Sequence, residues 1–216
     1  MPTKRAEFCL EVDAADDQLT RLTALLMRVS VASVLIRPPK GRVLDARMAQ
    51  PFVAAVQKAG AAAIIADDAR LARTIKADGV HLTVPDDGLV ADNEAREILG
   101  RRCIVGVEAG GSRHAAMAAG EAGADYIGFD VSADGAGTEA AAGRVDMVAW
   151  WAEIFEVPCV AFGVADVATA VALADAGADF VSVRLAAGVS TAVEIERLVE
   201  IAAAVTGQLV DAAGVT

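Results

Sequence analysis

The sequence predicts a parallel (β/α)8 barrel, the TIM-barrel architecture, and three observations carry that prediction. Eight short apolar runs alternate with eight helical patterns over 216 residues, about 27 per unit, at the compact end of the roughly 200 to 400 residues such barrels occupy. The segments 59–65, 122–128 and 176–182 share one plan, Ala-Gly-Ala followed by a strand-like run, and 76–82 varies it. Aromatic residues are only 4% of a chain that is 55% apolar, a composition suited to small helices packed closely on strands buried on both faces. The competing α/β architecture, a doubly wound open sheet, wants a glycine-rich turn after its first strand. The chain offers Glu11-Val12-Asp13-Ala14-Ala15-Asp16-Asp17 there, with no G-x-G-x-x-G.

The first strand is expected over Phe8 to Val12, followed by a helix over Asp17 to Met27. The second, Val31 to Arg37, is stopped by Pro38-Pro39-Lys40-Gly41, a stiff turn that leads to a helix over Met48 to Lys58. Gly60 ends that helix in a conformation other residues resist, and the β-branched run behind it makes the third strand, Ala62 to Ala66. A helix over Ala69 to Lys76 precedes the fourth strand, Gly79 to Leu82, and Pro85-Asp86-Asp87-Gly88 turns the chain toward a helix over Asn93 to Leu99. Cys103 to Val107 and Arg113 to Ala122 form the fifth unit, and Gly123 closes it before the sixth strand, Asp125 to Phe129. The Gly- and Ala-rich stretch from Asp130 to Gly143 reads as a mobile loop ahead of a helix over Asp146 to Phe155. Pro158 to Phe162 with Val167 to Ala176, and Phe180 to Arg184 with Ala192 to Val205, complete the eight. Nothing reads as a linker, so residues 1–216 are expected to form one barrel domain with a frayed tail beyond about residue 207.

Charge narrows the partners. Nineteen basic against 30 acidic residues give 19 − 30 = −11, a field that repels phosphate backbones and anionic lipid surfaces, so nucleic acid is not expected as a partner. Apolar stretches such as Val31 to Ile36 are far too short to span a bilayer, and no membrane partner is expected. Met1 to Cys9 has no secretory pattern, and a cytoplasmic protein is the expectation; a homo-oligomer is compatible with the chain. Cys9, Cys103 and Cys159 form no C-x-x-C and each lies in an apolar run, so buried free thiols are expected.

Barrel proteins place their chemistry on the loops after the strands, and here those positions are mostly acidic: Glu11, Asp13, Asp67, Asp68, Asp86, Asp87, Glu108, Asp130 and Asp134. Converging carboxylates repel one another, and Mg2+ relieves that cost by taking one or two of them together with waters and substrate phosphates. Asp67 and Asp86 are the candidate ligands on that reading; on the competing one, Asp67 or Asp68 caps the helix near Ala69 and Asp86 shapes a turn. Arg37 and Lys40 bracket the proline turn and offer two cations above the barrel, against the alternative of a solvated or acid-paired arginine. His81, flanked by Val80 and Leu82, reads as a core or hydrogen-bonded histidine, and His114 as a solvent-facing one.

The last two loops are where barrels commonly hold a phosphate on backbone N–H groups. Gly163 and Gly188 occupy those positions, with Arg184 as a candidate charge; the competing readings are a helix cap at Ser190 or Thr191 and an arginine paired with a carboxylate. A small phosphorylated metabolite is the expected ligand.

The run Ala77-Asp78-Gly79-Val80-His81-Leu82, with Gly123-Ala124-Asp125-Tyr126-Ile127-Gly128 and then Gly177-Ala178-Asp179, resembles thiamine phosphate synthase and its thiazole tautomerase relatives, over roughly Phe8 to Leu185. The resemblance implies a barrel enzyme that joins hydroxymethylpyrimidine diphosphate to a thiazole phosphate with Mg2+ and expels pyrophosphate. It implies a catalytic role for Arg37, matched to the arginine of a Gln-Leu-Arg-Glu-Lys strand end in which Leu35 here replaces glutamine and Lys40 is the nearest lysine. It implies metal binding by Asp67, from an Asn-Asp pair now led by Ala66, and by Asp86. Gly163 keeps one glycine of a Gly-Gly-Ile phosphate loop. Glu108 stands where the synthases carry serine, and Gly110 where the tautomerases carry histidine. The Thr-x-Thr-Lys loop reads Asp134-Gly135-Ala136-Gly137-Thr138-Glu139, and loss of its lysine removes an electrostatic stabiliser worth roughly 3 to 4 kcal/mol, two to three orders of magnitude in rate. A divergent synthase, a non-catalytic barrel that binds a phosphorylated metabolite or a partner protein, and a different lyase or isomerase are the readings the sequence leaves.

Overall fold

The computed structural model describes residues 5–83, 90–130 and 138–207. Eight strands, β1 (Glu7–Asp13), β2 (Ser33–Arg37), β3 (Ala62–Ala66), β4 (Gly79–Thr83), β5 (Ile104–Glu108), β6 (Tyr126–Asp130), β7 (Cys159–Val164) and β8 (Phe180–Arg184), close in chain order into one parallel barrel. Each is followed by a helix: α1 (Asp16–Leu26), α2 (Ala46–Lys58), α3 (Ala69–Ile75), α4 (Val90–Leu99), α5 (Arg113–Ala122), α6 (Thr138–Ile154), α7 (Val167–Asp175) and α8 (Thr191–Thr206). The (β/α)8 expectation holds, with β8 paired to β1 to shut the sheet.

The repeated segments explain how the barrel is stitched at its N-terminal end. Gly60, Gly123 and Gly177 all take positive φ where a helix gives way to a strand, the conformation that a Cβ disfavours. In the copy that lacks the glycine, Lys76 takes the same left-handed conformation. The aspartate that follows is structural. Asp78 accepts the Ala63 N–H at 2.8 Å, Asp125 that of Val105 at 2.8 Å and Asp179 that of Cys159 at 2.9 Å. The aspartates entering β4, β6 and β8 thus satisfy the first free donors of β3, β5 and β7, groups costly to leave unpaired at a buried strand start.

Alternation along the strands separates two cores. Val34, Ile36, Ala63 and Ile65 belong to the large cluster between sheet and helices, whereas Leu35, Ile64, Ala66, Val160 and Phe162 pack together inside the barrel. The same parity puts Cys9, Glu11 and Asp13 on the inner face of β1, because Phe8, Leu10 and Val12 face the helices.

Three expectations change. The stretch Asp130 to Gly143 is not all loop: α6 begins at Thr138, its helix-forming Glu-Ala-Ala-Ala run outweighing the neighbouring glycines. Cys103 precedes β5 and is half-buried, whereas Cys9 and Cys159 are buried thiols as expected. Burial pushes the Cys9 thiol up to about 11, leaving it inert. Glu11, Asp13, Glu108 and Asp130 do not follow their strands but belong to them. Asp86, Asp87 and Asp134, and the tail beyond residue 207, lie outside the described residues.

Candidate functional site at the C-terminal mouth

Because all eight strands run the same way, their C-terminal ends share one rim. Arg37 ends β2, Asp67 follows β3, Thr83 ends β4, Glu108 ends β5, Asp130 ends β6 and Arg184 ends β8. The fold therefore brings Arg37, Asp67, Gly163 and Arg184 to one mouth, with Lys40 exposed on the turn after β2 and Gly188 exposed on the loop after β8.

Asp67 and Asp68 divide their labour. Asp68 caps α3, accepting the Leu71 N–H at 2.7 Å, and so removes the need for Asp67 to do so. Asp67 stands exposed at φ +56°, a left-handed backbone conformation unusual for a residue with a side chain. Its carboxylate accepts the Thr83 N–H at 2.6 Å and the Thr83 hydroxyl at 3.3 Å, which holds it across the ends of β3 and β4. Each oxygen keeps a lone pair for a cation. Among the described residues no group of three or more His, Cys, Asp and Glu side chains gathers to cage a metal. An exposed, oriented single carboxylate fits Mg2+, which keeps several waters and takes further ligands from substrate phosphates.

Two ion pairs cross the seam of β8, β1 and β2. Arg37 Nε donates to Glu11 Oε2 at 2.8 Å, and Arg184 Nη2 to Asp13 Oδ1 at 2.5 Å. Arg184 is thus acid-paired, as the competing reading of the sequence had it. Glu11 is buried, and its other oxygen faces the Gly163 N–H at 3.5 Å. Gly163 adopts φ +67° where the β7–β8 register shifts between Ala161 and Val164, a bulge that re-aims its N–H inward.

Across the barrel, His81 is hydrogen-bonded in the interior, as its sequence setting implied. Its Nδ1 lies 2.9 Å from the Tyr126 hydroxyl, and its ring stacks on Tyr126 and tilts against Phe162. Glu108 Oε1 accepts the N–H groups of Gly110 and Asp130, at 2.7 and 2.9 Å, while Oε2 lies 3.7 Å from His81 Nε2. Gly128 makes this possible, since a Cβ there would come within 2.7 Å of Glu108 Oε2.

Behind the last two loops, Glu194 in the first turn of α8 accepts the Ala186 N–H at 2.8 Å and grips Arg197, whose guanidinium also reaches the carbonyls of Ala165 and Arg184. The N–H-bearing loops after β7 and β8 are fastened together by this half-buried pair. Sequence reasoning missed Glu194 and the inward role of Glu11. Strand parity signalled Glu11, as an acid between Leu10 and Val12; the three-residue spacing of Glu194 and Arg197 on a helix was the signal for the other.

A closed parallel barrel with its ionisable groups ringed around the C-terminal rim defines the class: a (β/α)8 barrel of the kind that builds sites on its strand-end loops. Solved structures agree on the fold. A thiamine phosphate pyrophosphorylase from Pyrococcus furiosus superposes with a TM-score of 0.74 at 20% identity over 94% of this chain and 96% of that one. A tryptophan synthase from Mycobacterium tuberculosis does so at 0.74 and 17% over 94% of each. The model of the family described as thiamine monophosphate synthase matches residues 9–187. The thiamine-phosphate synthase of Rhodospirillum centenum is 39% identical over 168 residues, 75% of this chain and 78% of that one. That of Erythrobacter litoralis is 43% identical over 141 residues, 64% of this chain and 65% of that one. The chain belongs to the thiamine monophosphate synthase family.

Proposed function

We propose that the C-terminal mouth binds a small phosphorylated ligand together with Mg2+, and that the reaction it serves is the joining of hydroxymethylpyrimidine diphosphate to thiazole phosphate. The observation that carries this reading is the release of Asp67 from helix capping by Asp68: a carboxylate held in a left-handed conformation and aimed by Thr83 keeps a lone pair on each oxygen for a cation. Mg2+ at Asp67, with Asp86 as its partner ligand, would neutralise a diphosphate. Arg37 contributes guanidinium N–H groups from β2 with Lys40 beside it on the following turn, while Gly163, Arg184 and Gly188, from β7 and from β8 and its loop, supply a second anion site.

The chain's own residues set the rate. No lysine occurs between Asp130 and Glu139 to neutralise the leaving pyrophosphate, so turnover is expected well below the roughly 1 s⁻¹ common among enzymes. The same deficit supports a second reading, a barrel that binds a phosphorylated metabolite or a partner protein without turnover. A thermal-shift series with thiamine precursors, with and without Mg2+, followed by a coupled assay for thiamine phosphate, separates the two. Stabilisation with slow product formation supports a weak synthase, stabilisation without product supports the metabolite-binding protein, and no stabilisation by any precursor overturns the synthase and favours a barrel with a different ligand or a partner protein.

A further inference from the structure

The two seam ion pairs are crossed. In the sheet register Arg37 lies level with Asp13 and Arg184 level with Glu11, yet each arginine takes the other acid. Arg37 leans diagonally to the buried Glu11, and the contact engages only its Nε. A carboxylate with 4% side-chain exposure that loses its cationic partner becomes an uncompensated buried charge, so Glu11 does not release Arg37. Gly163 N–H on its other oxygen limits rotation of the carboxylate. What Glu11 leaves unused is the Nη1–Nη2 edge, the face of a guanidinium that matches two oxygens of a phosphate.

We propose that Glu11 is the positioning residue for Arg37, fixing the guanidinium through Nε so that its Nη1–Nη2 edge meets a phosphate oxygen pair at the barrel mouth. The inference rests on the phosphate-ligand reading above. The Glu11–Arg37 pair carries no net charge, so recognition here depends on the geometry of the fork, and a lysine at position 37 does not substitute for it.

Calorimetry with inorganic pyrophosphate in the presence of Mg2+ tests this on the wild-type chain and the variants Glu11→Ala, Glu11→Gln and Arg37→Lys. Glu11→Ala and Arg37→Lys are expected to weaken binding by about tenfold. Glu11→Gln, whose amide oxygen still accepts from Nε, is expected to retain most of the affinity. If Glu11→Ala does not fold, Glu11→Asp is read in its place, since it keeps the charge but withdraws it from Nε. Affinity unchanged in these variants, with only a lowered melting temperature, makes Glu11 a structural residue and overturns the proposal. Tighter binding in Glu11→Ala overturns it too, by showing that the carboxylate competes with the anion. A wild-type chain that binds no pyrophosphate overturns the functional reading and this proposal together.

Discussion

Arg184 Nη2 lies 2.5 Å from Asp13 Oδ1 across the seam where β8 meets β1, and the arginine side chain remains 51% exposed. A pair this open is worth no more than about 1 kcal/mol, so a phosphate can draw the guanidinium away at little cost. Asp13→Asn should therefore tighten phosphate binding, and Arg184→Ala should weaken it, each with a change in unliganded melting temperature of only a few degrees. Melting curves with and without inorganic phosphate check both. Equal stabilisation by phosphate in wild type and Arg184→Ala would remove Arg184 from the anion site.

The fold was legible because its determinants are local and periodic. Gly60, Gly123 and Gly177 mark helix ends through a backbone requirement, and the run Phe8-Cys9-Leu10-Glu11-Val12 alternates outward and inward once a barrel is assumed. The rim was only half legible. Arg37, Asp67 and Arg184 were recognisable as strand-end charges, but their partners are set by closure of the sheet. Glu11 and Arg37 are 26 residues apart, and Asp13 and Arg184 are 171 apart. The choice between Asp67 and Asp68 as helix cap turned on one backbone dihedral angle. The Asp78, Asp125 and Asp179 ties were hidden for another reason: a short acid before a strand reads as a turn residue until the neighbouring strand's free N–H is known.

Asp67 offers a test that separates metal binding from stability. Asparagine tolerates the left-handed conformation and can still accept the Thr83 N–H, so Asp67→Asn should fold with nearly unchanged stability while losing the anionic ligand. Asp67→Ala should lose both the metal and about 1 kcal/mol, because alanine resists φ +56° and leaves Thr83 unpaired. Mn2+ binding followed by electron paramagnetic resonance in the presence of pyrophosphate reports the first effect, and urea denaturation the second. Full Mn2+ affinity in Asp67→Asn would place the metal elsewhere.

Glu194 couples the anion loops to acid stability. Burial raises its pKa, but the hydrogen bonds from Arg197 and from the Ala186 N–H, with the charge of Arg197, outweigh burial and hold the carboxyl below its usual range. A depressed folded-state pKa contributes stability that is present above the unfolded value, about 4.3, and is lost as pH falls through the folded value. Glu194→Gln should cost about 2 kcal/mol at neutral pH, less than a fully buried pair because Arg197 is about one-third exposed. The deficit relative to wild type should shrink below about pH 4. Amide hydrogen exchange should show the Leu185 to Ser190 loop opening first in the variant, and a uniform change across the barrel would argue against the fastening role.

Tyr126 makes the barrel interior observable, because it is the only tyrosine in the chain. Burial, then the negative charges around it, including Glu108, push its pKa well above the ordinary value, and Arg37 opposes them without prevailing. The phenol therefore keeps its proton, and with Glu108 Oε2 3.7 Å from His81 Nε2 the arrangement expected is a phenol that donates to Nδ1 and an imidazole proton carried on Nε2. Stability from a raised pKa is complete below the unfolded value, about 10, and is lost as pH rises above it toward the folded value. Tyrosinate absorbance should accordingly appear only together with the loss of circular dichroism, in one transition above about pH 10. His81→Phe removes the acceptor and strands a buried hydroxyl, so it should destabilise the protein by about 1 to 3 kcal/mol and move that transition to lower pH. The imidazole nitrogen shifts of the wild type should show a protonated Nε2. Tyrosinate forming while the dichroism stays native would show that burial does not hold the phenol protonated, and a protonated Nδ1 beside a bare Nε2 would mean that the interior chain of Tyr126, His81 and Glu108 runs in the opposite direction.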